Sequence, residues 1–404
     1  MRQIIYVWNY REWGGAQIYF MSLMKEAKHS YLVTALIPAD SEPKILQYLN
    51  SLEIPAEFLP PAPRLSKQSG LIGKIERRLA ILKSENRLVG NILARKKLTD
   101  MIVHIDLGFW QSFLPLVRLC MKTNVFMTIH TGLPLYNGWR GLRWWIKGKI
   151  LSRFSSFHLL ASNQDAKDSL KPYIGSDKFG PIEITYSGID PVEINRVIEN
   201  RPGKAEIRQN YGLPENRPIL MSVGQFIERK GCWVLLESLR QLKDAADKDF
   251  AFVWLSTTFP DAEILKRVNE YGLGDSFRLM DADEIGETRD ELLTLLSSAD
   301  IFILASLQEG LPIALIEAMA LGLPCIATNV NAIPEAIEDG QTGVLVPPND
   351  PIMLKAAIIA LLNAPRQRET LGAAAKKISF EKFNEKITAM RTLKLYNDVW
   401  KTLR

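Results

Sequence analysis

Ile301-Phe-Ile-Leu-Ala-Ser306-Leu-Gln-Glu309-Gly310-Leu311-Pro312-Ile313-Ala-Leu-Ile-Glu317-Ala-Met-Ala-Leu-Gly322-Leu-Pro324-Cys325-Ile-Ala-Thr328 reads as strand, loop, helix and second strand. Ile301–Leu304 is a short continuous apolar run, the pattern of a strand buried on both faces. Gly310 permits close backbone approach, and Pro312 suits a first helical turn. The predicted helix, Ile313–Ala320, therefore begins with open backbone amides at Gly310, Leu311 and Ile313. Those amides and the helix dipole make an anion site. Glu309 falls in the loop and Glu317 about one turn inside the helix at 1.5 Å rise per residue, so the two carboxylates can touch different parts of one elongated ligand.

The same alternation extends in both directions. Downstream of residue 215, strands are predicted at Ile219–Val223, Phe250–Leu255, Phe277–Met280, Ile301–Leu304 and Cys325–Thr328. Helices are predicted between them at Cys232–Leu242, Asp261–Tyr271, Glu291–Ser297 and Ile313–Ala320. Upstream, strands are predicted at Ile4–Trp8, Leu32–Ile37, Met101–His104, Val125–Ile129 and Phe157–Ala161. Helices are expected at Ala16–Ala27 and Leu88–Lys97, and after Ser162 as a cap. The polar stretch from Tyr186 to Pro214 reads as the join between two domains. Strands alternating with helices imply parallel, doubly wound sheets. The expected architecture is α/β: two Rossmann-like lobes, residues 1–188 and 189–382, facing a central cleft, with the chemistry in loops after strands. Phe383–Leu403 reads as an amphipathic helix.

Composition agrees with two domains. The chain has 404 residues, 47% hydrophobic and 24% charged, which excludes disordered and collagen-like classes. Cys120, Cys232 and Cys325 lie far apart, with no CxxC pair to suggest a disulfide framework or zinc site. No signal peptide and no apolar run of membrane-spanning length is read, so a cytoplasmic location is expected, with peripheral contact at the inner membrane face an open option. Residues 1–190 carry 25 Lys and Arg against 15 Asp and Glu; Arg64–Arg153 alone carries 17 against 4. Basic residues concentrate in Arg64–Lys97 and in Arg140–Phe154. The latter interleaves Arg140, Arg143, Lys147, Lys149 and Arg153 with Trp139, Trp144 and Trp145. Cations among interfacial aromatics suit an anionic membrane surface; a solvated face with its Trp residues turned into the core is the competing reading. No nucleic-acid-reading motif accompanies the charge.

Other loops add candidates. Val223-Gly224-Gln225-Phe226-Ile227-Glu228-Arg229-Lys230-Gly231 follows the first strand of the second lobe. Its Arg and Lys suit a diphosphate, one by bidentate bonds and one as a point charge. Gly14-Gly15 precedes the first helix without a GxGxxG, which removes the dinucleotide fingerprint. His104 and His130 both close first-lobe strands, His130 being the stronger candidate. Asp281-Ala-Asp283 has only a superficial metal-motif spacing; no metal site is expected.

With these residues in view, the chain resembles retaining nucleotide-sugar glycosyltransferases of family 4, which have the two-lobed GT-B fold. The resemblance rests on Glu309 through Pro324, with its two glutamates separated by seven residues. It extends through Cys325–Thr328, Asn331-Ala-Ile-Pro-Glu335 and Gly340-Gln-Thr-Gly343-Val-Leu-Val-Pro347. It implies that Glu309 lies against the transferred sugar, Glu317 holds the ribose hydroxyls, and Arg229 and Lys230 neutralise the diphosphate. By the same resemblance His130 lies near the donor sugar, Gly14 and Gly15 close over the phosphate, and the last helix, 383–404, crosses back to the first lobe. Gly224, Gly310, Leu311, Pro312 and Ile313 complete the implied donor site. Gln225, the loop Leu255–Pro260 and Ala305 depart from the family's usual Arg, glycine-rich loop and Pro.

The implied function is retaining, metal-independent transfer of a hexosyl unit, without a cofactor. The donor would be a nucleotide-diphosphate sugar, a UDP-sugar by preference, and the acceptor a hydroxyl of a lipid-linked, lipopolysaccharide or exopolysaccharide chain. A nucleotide-sugar epimerase on a related fold and a non-catalytic sugar- or membrane-binding scaffold are the alternatives.

Overall fold

A computed structural model describes residues 2–11, 14–59, 71–95, 98–106, 113–245, 249–256, 258–286 and 288–402. Two compact units result: residues 1–187 with 385–404, and residues 188–384.

The first unit is built on a seven-stranded parallel sheet. Its strands are β1 (Gln3–Val7), β2 (Leu32–Pro38), β3 (Ala56–Leu59), β4 (Met101–Asp106), β5 (Asn124–Ile129), β6 (Phe157–Ala161) and β7 (Glu183–Ile184). They lie in the order β3-β2-β1-β4-β5-β6-β7. The second unit's strands are β8 (Ile219–Val223), β9 (Ala251–Ser256), β10 (Phe277–Asp281), β11 (Ile301–Leu304), β12 (Cys325–Thr328) and β13 (Val344–Val346). Their order is β10-β9-β8-β11-β12-β13. Both sheets thus follow the doubly wound 3-2-1-4-5-6 pattern, whose order reverses between the first and fourth strands. Each unit has the Rossmann-like, doubly wound α/β fold expected of it.

The apolar strands are covered on both faces. In the first unit, one face packs Val103, Val125 and Met127 against Leu88, Val89, Leu116 and Leu151. The other packs Tyr6, Ile102 and Phe126 against Phe20, Leu23 and Met24 of the first helix and Ala389, Leu393, Tyr396 and Trp400 of the last, Glu385–Thr402. A buried polar chain pins that last helix: His104 Nδ1 is 2.5 Å from the Tyr396 hydroxyl, and His104 Nε2 is 2.7 Å from Thr128 Oγ1. In the second unit, Leu235, Leu236 and Leu239 of the helix Cys232–Asp244 cover Phe252, Ile303 and Ile326.

Several local readings need correction. The polar stretch after Tyr186 holds two helices, Pro191–Asn200 and Lys204–Asn210; Asp190 caps the first by accepting from Val192 N, and Pro191 starts it. Asn163, not Ser162, caps the next helix, accepting from Ala166 N, while Ser162 Oγ donates to the His130 carbonyl at 3.2 Å. The basic helix spans Leu71–Leu93 instead of beginning at Leu88. Residues 64–70 and 96–97 of the basic stretch, Thr257 of the departing loop and Leu403 of the last helix lie outside the described residues. His104 does not close its strand, which runs on to Asp106, and the imidazole is fully buried.

Candidate active site

The centre of the second unit's site lies where its strand order reverses. Two loops leave the carboxyl ends of the adjacent strands β8 and β11 and meet. Lys230 Nζ donates to Glu309 Oε1 at 2.6 Å, and Ser306 Oγ donates to the same oxygen at 2.6 Å. Arg229 Nη1 stands 3.7 Å from Glu309 Oε2 and donates to the Gln308 carbonyl at 3.0 Å. Glu309 is only 5% exposed, and a carboxylate so desolvated needs this cation and these donors. Asn331 Oδ1 accepts from the Glu309 backbone amide at 3.2 Å.

The local sequence explains the meeting. Glu228–Lys230 forms one turn of 3-10 helix, and Gly231 closes it at φ 71, a left-handed conformation that favours glycine. A Cβ on Gly231 would overlap the Ala305 carbonyl oxygen, and Leu307 N donates to the Arg229 carbonyl at 2.8 Å. The two loops are therefore keyed together by backbone, not by side chains alone. Gly224, at φ 141, lies against the Lys230 side chain.

Beside the pair, Pro312 caps the helix Ile313–Ala320 with no side-chain bond, and no acidic residue occupies the first turn. Its leading amides, with those of Gly310 and Leu311, form the positive end beside Glu309. Glu317, on this helix, is buried. Arg289 Nε donates to its Oε1 at 2.9 Å, and Arg289 also reaches Glu193 at 3.3 Å. Burial pushes the Glu317 carboxyl upward, opposed by the Arg289 cation. Asp281, half of the superficial metal spacing, caps the helix Ala282–Ile285 in a capping box with Glu284.

The first unit holds its own candidates. Gly14 caps the helix Gly15–Ala27 with no side-chain bond. His130 follows β5, its ring edge-on to Tyr19 at 5.0 Å and its Nε2 3.7 Å from the buried Asp106 carboxylate. Tyr10 donates to Asp106 Oδ1 at 3.2 Å. Burial lowers the His130 pKa to about 4, so the ring is neutral near pH 7.

Sequence reasoning singled out Lys230, Arg229 and Glu309, which this unit brings together, and Glu317, one turn away. It missed Ser306 as a Glu309 partner, and Arg289, Glu193 and Asp106 altogether. Of these only Ser306 had a signal, lying inside the deciding motif.

Residues 203–378 match the family model described as glycosyl transferases group 1. The match covers most of the second unit, which is therefore similar to this family. Among curated relatives, alpha-D-kanosaminyltransferase of Streptomyces kanamyceticus is 28% identical over 198 residues, 48% of this chain and 49% of the relative. The chain thus spans about half the length of that relative. A Rickettsia africae glycosyltransferase crystal structure matches with TM-score 0.77 at 20% identity, over 99% of each chain. Anabaena HepE in complex with UDP-glucose matches with TM-score 0.72 at 15% identity, over 98% of this chain and 100% of that one.

Proposed function

We propose that this chain is a group 1 glycosyltransferase that transfers a hexosyl unit from a nucleotide-diphosphate sugar to an acceptor hydroxyl, with retention at the anomeric carbon. The observation that carries the reading is the Lys230–Glu309 pair beside an uncapped helix start. As the anomeric C–O bond to the diphosphate breaks, negative charge builds on the leaving oxygens. Lys230, Arg229 and the amides at Gly310, Leu311 and Ile313 are the groups able to stabilise it. Because protein cations meet that charge, the reading calls for no metal ion.

Glu309 is read as a positioning group, with its Oε1 held by Lys230 and Ser306. Its role is to position the sugar and hold Lys230 in place. The acceptor proton passes to a leaving phosphate oxygen on the same face, where the new glycosidic bond forms. Glu317 is assigned to the ribose hydroxyls. Gly224 and Pro312 shape the backbone that approaches the donor; the roles of Gly14, Gly15 and His130 of the first unit are carried by the family resemblance. The choice of UDP is supported by the UDP-glucose complex of the HepE relative in fold. The acceptor is read as a lipid-linked or polysaccharide hydroxyl, which leans on the cationic aromatic segment of the first unit.

The test is a thermal-shift screen against nucleotide sugars, followed by incubation of the stabilising donor with and without candidate acceptors. Transfer, with Glu309→Ala and Lys230→Ala inactive but folded, supports the reading. An isomerised donor sugar in the absence of acceptor would instead show an epimerase, and stabilisation without any turnover a binding scaffold.

A further inference from the structure

The helix Gly138–Leu151 of the first unit takes no part in the chemistry of the proposed transfer, although the acceptor reading leans on it. Only Gly148 and Leu151 of it are buried. Gly148 lets the helix backbone lie against Tyr173, whose carbonyl oxygen a Cβ would overlap. Trp144 packs inward, stacked on Tyr136 at 5.7 Å between centroids. These contacts fix the helix's rotation and leave the other face uncovered. That face carries Trp139, Leu142, Trp145 and Ile146, all exposed, with Leu135 just before the helix; Trp139 reaches 74%. The expectation that the tryptophans turn into the core thus holds for Trp144 but fails for Trp139 and Trp145.

At 100° per residue, Trp139, Leu142 and Ile146 fall on one stripe, with Arg143 on one side and Lys149 and Trp145 on the other. Lys149 lies over the Trp145 ring at 6.0 Å and Lys147 over Trp144 at 5.6 Å. Residues 107–164 contain seven Lys and Arg and no Asp or Glu. From this we infer that the outward face of Gly138–Leu151 docks on an anionic lipid bilayer, lying in the interface plane. The apolar stripe enters the acyl boundary, the indole rings sit at headgroup level, and Arg143 and Lys149 meet lipid phosphates. A second copy of this chain fits poorly, since the same face would bring like charges together. Nucleic acid would leave Leu142 and Ile146 without a role. The inference does not depend on the proposed transfer.

The test measures partitioning of the full chain onto phosphatidylcholine vesicles with and without phosphatidylglycerol. Strong binding only to the anionic vesicles is expected, weakening as salt rises. Removing two cations, as Arg143→Ala with Lys149→Ala, should lower it about 25-fold, roughly fivefold for each. Trp139→Ser with Trp145→Ser should also weaken it, and brominated lipid should quench the fluorescence of the wild type more than that of this variant. Equal partitioning onto neutral and anionic vesicles overturns the inference, as does an unchanged Arg143/Lys149 variant. So does concentration-dependent self-association through this face without vesicle binding. Should a variant misfold by circular dichroism, the wild type's lipid and salt dependence decides alone.

Discussion

Lys230 and Glu309, 79 positions apart in sequence, share a 2.6 Å ion pair that joins the loops after β8 and β11. The glutamate is the more buried partner, so losing the lysine strands a charge that water can scarcely reach. Lys230→Ala should cost about 3 kcal/mol of stability and at least about a hundredfold in transfer. Arg229 is half exposed and farther away; Arg229→Ala should cost about tenfold in transfer and little stability. Denaturant midpoints and initial rates on both variants check the ranking. Equal effects would mean that the two cations act as one undivided field.

Gly231→Ala should be more damaging than its size suggests. The left-handed backbone alone costs about 1–2 kcal/mol with a side chain, and the added carbon meets the Ala305 carbonyl. A urea midpoint indistinguishable from wild type would show that the two loops can part without penalty. Loss of nucleotide-sugar stabilisation in the same variant is expected, because the Lys230–Glu309 geometry depends on that contact.

Arg289 and Glu317 should be strongly coupled. Arg289→Ala leaves a buried carboxylate with its principal counter-charge gone, at an expected cost of about 3–5 kcal/mol. Glu317→Gln in the same chain should recover a substantial part, since the amide needs no cation. A double-mutant cycle measures the coupling; additive losses would reduce the pair to an incidental contact.

The pH dependence follows from His130. Burial lowers its pKa from 6.5 to about 4, so between those values the unfolded chain binds a proton that the folded chain does not. Its contribution to stability is complete above about pH 6.5 and is lost as pH falls toward about 4. His158, lowered to about 4 by burial, acts in the same direction. His130→Asn should therefore flatten the rise of stability with pH in that window by about 1.4 kcal/mol per pH unit. Urea titrations across the window in both proteins check it, and parallel curves would remove the assigned proton. The groups around the ring are Asp106, Tyr19 and His104; Tyr10 contacts Asp106.

What the amino-acid order made legible was local. Strands such as Ile301–Leu304 are short apolar runs bounded by turn residues, and the helix Ile313–Ala320 starts after Pro312; both match their sequence reading. Lys230 and Glu309 were each legible as site candidates, in loops that carry a glycine beside charge, but their direct pairing was not. Arg289 was invisible: it is an ordinary helix-start arginine until folding brings it to Glu317. Asp106 was hidden because it extends an apolar strand, and only tertiary packing shows a carboxylate sealed there. The stretch after Tyr186 misled through its polarity, although Asp190-Pro191 is itself a helix-start signal. The outward face of Gly138–Leu151 could not be assigned from spacing alone, because three tryptophans on one helix do not reveal which of them finds a pocket.

The last helix also sets an order of events during synthesis. Tyr396 and Trp400 complete the core around β1 and β4, yet they are translated after the whole second unit. The domain that leaves the ribosome first must wait, with part of its interior open to water, until Glu385–Thr402 has been translated. The later-made domain, whose core needs nothing from that tail, is free to finish ahead of it.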